Sequence, residues 1–289
     1  MLKTIFIILL ILLIGFLIFG SKTKVKESFS GKSKFNTFKN DTLYDEFYAD
    51  VYDKLLFNPS KNNFEVKSIT KFIDNGKALD IGSGTGHHVN LLAKKGFDCT
   101  GLDSSKSMIA EAKIKFPEQK FKYGNALKKM TFQPKSFDLI TCLYFTIYYI
   151  KNKEQFFKNV ALWLEDGGYF VLHLVDKKKF NPIVPAGEPF TIISPQNYSD
   201  ERINDSIVDF DQFAYKANFS LPDNDKATFK EVFKFKNSNQ VRQNDHTLYM
   251  ESHEEIAHQV ESIGLKLVEV IDMSPCNYDN QYLYVFQKN

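Results

Sequence analysis

Residues 78–92 read ALDIGSGTGHHVNLL. A short apolar run carries an acid at Asp80, glycines alternate at Gly82, Gly84 and Gly86, and the residues behind them have helical spacing. Strand, loop and helix in that order put three residues without side chains where backbone must pass close to a ligand. The dinucleotide fingerprint spaces its glycines G-x-G-x-x-G, whereas this loop is one residue shorter between the last two. A dinucleotide also rests its phosphates on the helix N-terminus, whose partial positive charge attracts anions. A carboxylate at the strand end suits the opposite, a ligand with positive charge and no phosphate.

Working outward, strand-like and helix-like pieces alternate. Strands are expected at 77–81, 98–102, 137–143 and 168–175, and helices at 87–95, 106–115 and 153–164. Strands separated by single helices predict an α/β, doubly wound sheet with helices on both faces. Before them, DTLYDEFYADVYDKLL (41–56) places Tyr44, Phe47, Tyr48, Val51, Tyr52 and Leu55 on one helical face, with Asp41 as its cap. After Asp176 the pattern changes. SIVDFDQFAYKANFS, ATFKEVFKFK and VRQNDHTLYM read as three antiparallel strands with one buried face, an insert over 177–250. A helix over 251–263 and two closing strands, LKLVEVIDM and QYLYVFQ, return to the sheet.

The chain has 289 residues and a net charge of only +2, with acids and bases mixed along it, so no nucleic-acid partner is expected. Cys99, Cys142 and Cys276 show no CxxC spacing, which argues against a disulfide framework or zinc site and for a reducing compartment. Residues 4–20 are apolar without a charge and approach the length of about 20 residues that a bilayer requires. A secretory signal peptide has a shorter apolar region and a small-x-small cleavage site, which Ile18-Phe19-Gly20 does not supply. Residues 1–20 are therefore expected to be a transmembrane anchor. The lysines over 22–34 predict a single-pass membrane protein whose folded part is cytosolic. Residues 21–40 are expected to be a flexible basic linker, and 41–289 the folded domain.

The ligand that answers to Asp80 is S-adenosylmethionine, with a cationic ammonium and sulfonium and no phosphate. Asp103 ends the second strand 21 residues after Gly82, where doubly wound folds put the acid that binds ribose hydroxyls, a feature shared with NAD proteins. The whole series of motifs decides between the two cofactors. LDIGSGTGHH, GLDSSKSMIAEAK, YGNAL, FDLITCLYFTIYYI and WLEDGGYFVLHLV resemble, in order and spacing, the motifs of class I S-adenosylmethionine-dependent methyltransferases. The start YADVYDKLL and the insert are similar in layout to small-molecule N-methyltransferases of the glycine and amino-sugar kind. The resemblance implies a seven-stranded Rossmann-like sheet with the insert as a lid over the substrate. It also implies roles residue by residue. Asp80, Gly82, Ser83, Gly84 and Gly86 would hold the methionine moiety, Asp103 would take both ribose hydroxyls, and Ser104 beside it would also contact the cofactor. Met108, Asn125 and Ala126 would meet adenine, Cys142 and Leu143 would offer carbonyls to the ammonium, and Tyr52 would close over the cofactor. The family often has Asp where Asn125 stands.

Methyl transfer from a sulfonium is an in-line displacement, and catalysis lies chiefly in bringing nucleophile and methyl together in a dry site. An amine needs only to arrive deprotonated, whereas a hydroxyl needs a general base within hydrogen-bond reach. No unmistakable base is legible. His173, inside the strand over 168–175, and Tyr148, after the strand over 137–143, are the catalytic candidates, although His173 reads first as a histidine satisfied within a buried sheet. Tyr144 and Tyr149 lie beside Tyr148, and aromatic faces there favour a sulfonium. His87 and His88 line the cofactor or serve the helix start. Tyr48, like Tyr52, is either a cofactor cover or a core residue. His246 and Arg242, on the last insert strand, are expected on a solvated face unless the lid brings them over the site. The expected function is transfer of a methyl group to a small-molecule N or O nucleophile at a membrane. The alternative is a scaffold there that binds S-adenosylmethionine and transfers nothing.

Overall fold

The computed structural model describes residues 34–188, 196, 199, 201–222 and 225–289. Among them two sheets form. One contains β1 (Lys34–Lys39), β7 (Asp205–Asp209), β8 (Phe213–Ser220), β9 (Lys226–Phe235) and β10 (Gln240–Tyr249), in the order β1-β10-β9-β8-β7. The other contains β2 (Gly76–Ile81), β3 (Phe97–Asp103), β4 (Lys120–Tyr123), β5 (Phe137–Cys142), β6 (Leu164–Val175), β11 (Leu265–Asp272) and β12 (Gln281–Lys288). Its order is β11-β12-β6-β5-β2-β3-β4, with β12 antiparallel to both neighbours and the pairs from β6 to β4 parallel.

The helices are α1 (Glu46–Leu56), α2 (Pro59–Ile69), α3 (His87–Lys94), α4 (Lys106–Lys115), α5 (Thr146–Tyr149), α6 (Lys153–Trp163) and α7 (His253–Ser262). Most begin on a side chain that accepts an otherwise unpaired N–H of the first turn. Asp45 accepts from Tyr48, Asn58 from Lys61, Ser105 from Met108, and Asn152 from Gln155. Ser252 and Glu255 form a reciprocal capping box on α7. The core of the seven-stranded sheet is apolar on both faces, with Leu79, Ile140, Phe156, Phe157, Trp163 and Phe170 fully buried on one of them. α1 packs against the other sheet through Tyr48, Val51 and Leu55, which meet Phe213, Tyr215 and Phe233.

The seven-stranded sheet agrees with the sequence reading, and several details correct it. The anchor expected over 1–20 lies outside the described residues. Among the described residues no helix is long and apolar enough to cross a membrane, and the single-pass localisation drawn from the anchor is withdrawn. The linker expected to reach residue 40 instead yields β1, a parallel edge strand on β10 with Phe38 opposite Asn244. The first helix starts at Glu46 with Asp45 as its cap, not Asp41. The insert contributes four strands to a five-stranded sheet, because SIVDFDQFAYKANFS turns back on itself as the hairpin β7–β8. Three elements, α2, β4 and the short α5, had no forecast. β4 is short and largely exposed, and α2 buries Lys61, Asn62, Glu65 and Ser68, so neither shows an apolar period.

Candidate active site

From β2 the chain winds outward through β3 to β4, and from β5 it winds the other way to β6. The crevice between the C-terminal ends of β2 and β5 is thus the switch point where ligands bind in such sheets. The glycine loop lies there. Gly82 has φ +73°, its N–H bonds the Leu102 carbonyl at 2.8 Å, and an added Cβ would lie 2.4 Å from Thr146 Cγ2. Gly84, at φ +51°, donates its N–H to Asp103 Oδ2 at 2.9 Å, while Asp103 Oδ1 accepts from the Ser105 N–H at 2.8 Å. Loop and acid therefore hold each other in place. The Ser104 N–H also bonds this carboxylate, which lies on the cavity wall with capacity left for a ligand. Gly86 has a different task. It opens α3 at φ +88°, and a Cβ there would strike Phe121, so it serves packing rather than the cavity.

A cavity of about 280 Å³ opens in front of this loop and reaches the five-stranded sheet. Asp103, Ser104, Met108, Asn125, Ala126 and Tyr52 all line it. Asn125 Oδ1 accepts from the Leu127 N–H at 2.8 Å, which fixes the amide, and the Ala126 carbonyl is taken by Asn159 Nδ2 at 2.8 Å. A smaller cavity behind the loop shares Tyr52, Gly82, Gly84, Tyr144 and Thr146 with the first and is also lined by Asp80, Ser83 and Leu143. Cys142 is buried in the core and lines neither.

Asp80 is 2% exposed, and Thr141 Oγ1 donates to its Oδ1 at 2.7 Å. Burial, helped by the negative charges of Glu65 and Asp103 and opposed by His88 and Thr141, pushes the carboxyl up to about 6. Such a group gains from a cationic ligand. The buried Ser83 Oγ has no hydrogen-bond partner among the described residues. An acid short of a cation, an unpaired hydroxyl and a second acid on the cavity wall fit an ammonium, a polar methionine end and a ribose.

Two polar networks flank the smaller cavity that the sequence did not disclose. Asp53 accepts from Thr85 Oγ1 at 2.6 Å and lies 2.7 Å from His87 Nε2 and 2.8 Å from Lys115 Nζ. Burial raises the proton affinity of Asp53, but these partners more than offset it and hold the carboxyl low. Glu65 pairs with Lys61 at 2.8 Å and His88 at 2.7 Å, and its Oε1 lies 3.3 Å from His173 Nδ1. His87 and His88 thus tie α3 to α1 and α2. Each pair spans more than 20 residues, a separation that local patterning cannot see.

The catalytic candidates are placed away from the cavity. His173 has no exposed surface, bonds Gln281 Oε1 at 3.0 Å and the Tyr144 N–H at 3.2 Å, and is lowered chiefly by burial. Tyr148 is likewise fully buried, and its hydroxyl accepts the Val175 N–H at 2.8 Å. Both lie among the residues that join β6 to its neighbours. Tyr144 and Tyr149 line the cavity instead, and Tyr144 adopts φ +54°, a strained value that a functional site can hold in place. His246 and Arg242 are 2% and 5% exposed, so the solvated face expected for them is corrected. β10 is covered on that face by α1 and α5, and three of its four inward residues are polar: Arg242, Asn244 and His246, with Leu248 the fourth, alternate with half-buried neighbours.

A model of the methyltransferase domain matches residues 79–172. Ubiquinone biosynthesis O-methyltransferase of Coxiella burnetii is 27% identical over 125 residues, 42% of this chain and 52% of that one. A dTDP-3-amino-3,4,6-trideoxy-alpha-D-glucopyranose N,N-dimethyltransferase of Streptomyces venezuelae is 26% identical over 139 residues, 45% of this chain and 58% of that one. The chain thus spans about half the length of the curated relatives it matches. Among solved structures, an S-adenosylmethionine-dependent methyltransferase from Clostridium acetobutylicum superposes with a TM-score of 0.63 at 20% identity, covering 84% of this chain and 98% of that one. At that identity the likeness shows the fold. Domain match and sheet order agree: residues 79–172 match a methyltransferase domain, and the fold is the one seen in S-adenosylmethionine-dependent methyltransferases.

Proposed function

We propose that this chain transfers the methyl group of S-adenosylmethionine to a nitrogen or oxygen of a small molecule enclosed between the two sheets. The observation that carries the reading is the single cavity wall shared by Asp103, the glycine loop and the aromatic residues Tyr44, Tyr149 and Phe229 of the opposite side. One face of that cavity suits ribose and ammonium, and the other is closed by apolar and phenolic groups. When bound, the cofactor supplies an electrophilic methyl group. The chain's residues do the rest. Asp103 would hold the ribose, Asp80 and the Leu143 carbonyl the ammonium, and Met108 and Asn125 the adenine. Phe145, Phe180 and Phe219 would keep water from the reacting atoms. The Streptomyces venezuelae relative is named for an amino-sugar substrate and the Coxiella burnetii relative for an O-methylation, which supports a small acceptor of either kind.

The test has two stages. Titration calorimetry should find saturable binding of S-adenosylmethionine to the full chain. Incubation with labelled methyl donor and a panel of amines, alcohols and phenols should then transfer label. Saturable cofactor binding with no labelled product from any acceptor class would overturn the reading in favour of a scaffold that transfers nothing.

A further inference from the structure

β10 carries polar side chains to the face that closes the cavity, and one of them joins two elements. His246 Nδ1 lies 2.6 Å from the Tyr149 hydroxyl of α5, and its Nε2 lies 2.7 Å from Glu231 Oε2 of β9. The antiparallel register puts Asn244 opposite Glu231, and Asn244 Nδ2 donates to the same oxygen at 3.0 Å. From β8 the Tyr215 hydroxyl donates to Glu231 Oε1 at 2.7 Å. Glu231, Asn244, His246 and Tyr215 are all buried. The imidazole is enclosed by the rings of Tyr44, Tyr48 and Phe229, with centroids 6.3, 6.0 and 5.3 Å away. Tyr149 and His246 line the cavity, while Glu231 does not.

The charges follow from this arrangement. Burial acts to raise the Glu231 carboxyl, but His246, then Asn244 and Tyr215, hold it below the usual range, so it is ionised at neutral pH. With Nε2–H donated to Glu231, His246 Nδ1 is the acceptor for the Tyr149 proton. The Tyr149 hydroxyl is itself pushed up, first by burial and then by the charge of Glu231, while the hydrogen bond from Tyr44 works the other way. It therefore does not ionise alone, and it can release its proton to His246 only as it receives another. Tyr44 occupies one lone pair of the Tyr149 oxygen and leaves the second for a donor in the cavity.

We propose that Tyr149, backed by His246 and Glu231, accepts the proton of a hydroxyl group, so that the methyl acceptor of this site is an alcohol or phenol. The inference rests on the methyl-transfer reading above and narrows it. A deprotonated amine attacks with its own lone pair and needs no base, whereas a hydroxyl must lose its proton as the new bond forms. A buried Glu231 carboxylate behind an imidazole, ending in a cavity-facing phenol, serves the second case. S-adenosylmethionine supplies the methyl group, its C–S electron pair staying on sulfur as a lone pair of the acceptor oxygen forms the C–O bond. The hydroxyl proton passes to the Tyr149 oxygen, the Tyr149 proton to His246 Nδ1, and the resulting imidazolium rests against Glu231. After product leaves, the proton returns to solvent by the same path. Tyr149 is the catalytic residue, and His246 and Glu231 are positioning residues that act through it.

The experiment uses the full chain saturated with S-adenosylhomocysteine and three probes, phenol, anisole and aniline, whose binding is read by ligand-observed NMR. Phenol should bind about 10-fold tighter than anisole or aniline, the factor expected for one hydrogen bond with a charge-backed partner. Tyr149→Phe and His246→Gln should bring the three within about threefold of one another, while S-adenosylhomocysteine affinity stays unchanged. With 15N-labelled histidine, phenol but not anisole should move the His246 ring resonances, and Glu231→Gln should abolish that movement, which a purely structural role would not predict. Equal binding of phenol and anisole, absence of saturable phenol binding, a preference for aniline, or a phenol preference that survives Tyr149→Phe would each overturn the inference. Failure of the wild-type chain to bind S-adenosylhomocysteine would instead overturn the methyl-transfer reading on which it rests.

Discussion

Asp103 offers the sharpest separation of a binding role from a structural one. Its carboxylate accepts the Gly84 and Ser105 N–H groups at 2.9 and 2.8 Å and lies on the cavity wall, where it would accept from the vicinal hydroxyls of a ribose. Charge-assisted hydrogen bonds contribute about 1.5–3 kcal/mol each. Asp103→Asn keeps one oxygen and the shape but loses the charge and turns one acceptor into a donor. Loss of about 3 kcal/mol is expected, which weakens S-adenosylmethionine binding roughly 100-fold. Stability should respond differently. Burial raises the Asp103 carboxyl above its ordinary range. Its contribution to folding is therefore fully present below that ordinary value and is lost as pH rises through the raised one. At pH 7 the ionised side chain costs the apo protein free energy that asparagine does not, which offsets the weakened bond to the loop. The expected result by calorimetry and thermal denaturation is a Kd about two orders of magnitude higher with Tm within about 3 °C of wild type. Asp103→Ala, which frees both N–H groups, should lose affinity and stability together. A Kd for Asp103→Asn within threefold of wild type would refute the ribose assignment.

Asp80, pushed up to about 6 by burial above all, predicts a pH dependence of binding. Its own contribution to folding is lost as pH rises through about 6, but a cationic ligand needs the ionised form, so affinity should be flat above pH 7 and fall below pH 6, approaching tenfold per unit. Calorimetry from pH 5 to 8 checks this, Asp80→Asn should remove the slope, and a flat wild-type profile would sink the assignment. Arg242→Ala should destabilise the fold by about 2–4 kcal/mol in urea denaturation, because it leaves the buried Leu43 carbonyl and Asn244 Oδ1 unsatisfied and the part-exposed Asp45 unpaired. Arg242 Nη1 bonds Asp45 Oδ2 at 2.7 Å, Nη2 the Leu43 carbonyl at 2.9 Å and Nε the Asn244 Oδ1 at 2.8 Å, with Phe38 stacked 3.9 Å from the guanidinium. A loss below 1 kcal/mol would show that the clamp is not needed to hold α1 on the second sheet.

The seven-stranded sheet was legible because its evidence is local. β5 is apolar at four of its five buried positions, Thr141 being the exception, and α4 is framed by Ser105 and Pro117, so period and punctuation suffice. The ligand loop was legible for the same reason: positive φ at Gly82 and Gly84 demands glycine, and the acids that bracket the crevice end strands. The second sheet was partly legible. Alternation marked β8 correctly, but on β10 the inward positions besides Leu248 are Arg242, Asn244 and His246, which read as solvated. A polar residue reveals nothing of its burial until its partners are known, and those partners come from β9, α5 and the segment before α1.

The sequence by itself determined the doubly wound sheet, the glycine loop, Asp80 and Asp103, since each depends on backbone conformation or hydrophobic period within a few residues. The tertiary structure alone decided which polar groups face the cavity. It sent Tyr148 and His173 into the core and brought Tyr149, His246 and Glu231, the outer two 82 residues apart, into one hydrogen-bonded line. The physical reason is that a buried polar group is stable only when paired, and pairing is settled by strand register and helix packing rather than by neighbours in the chain.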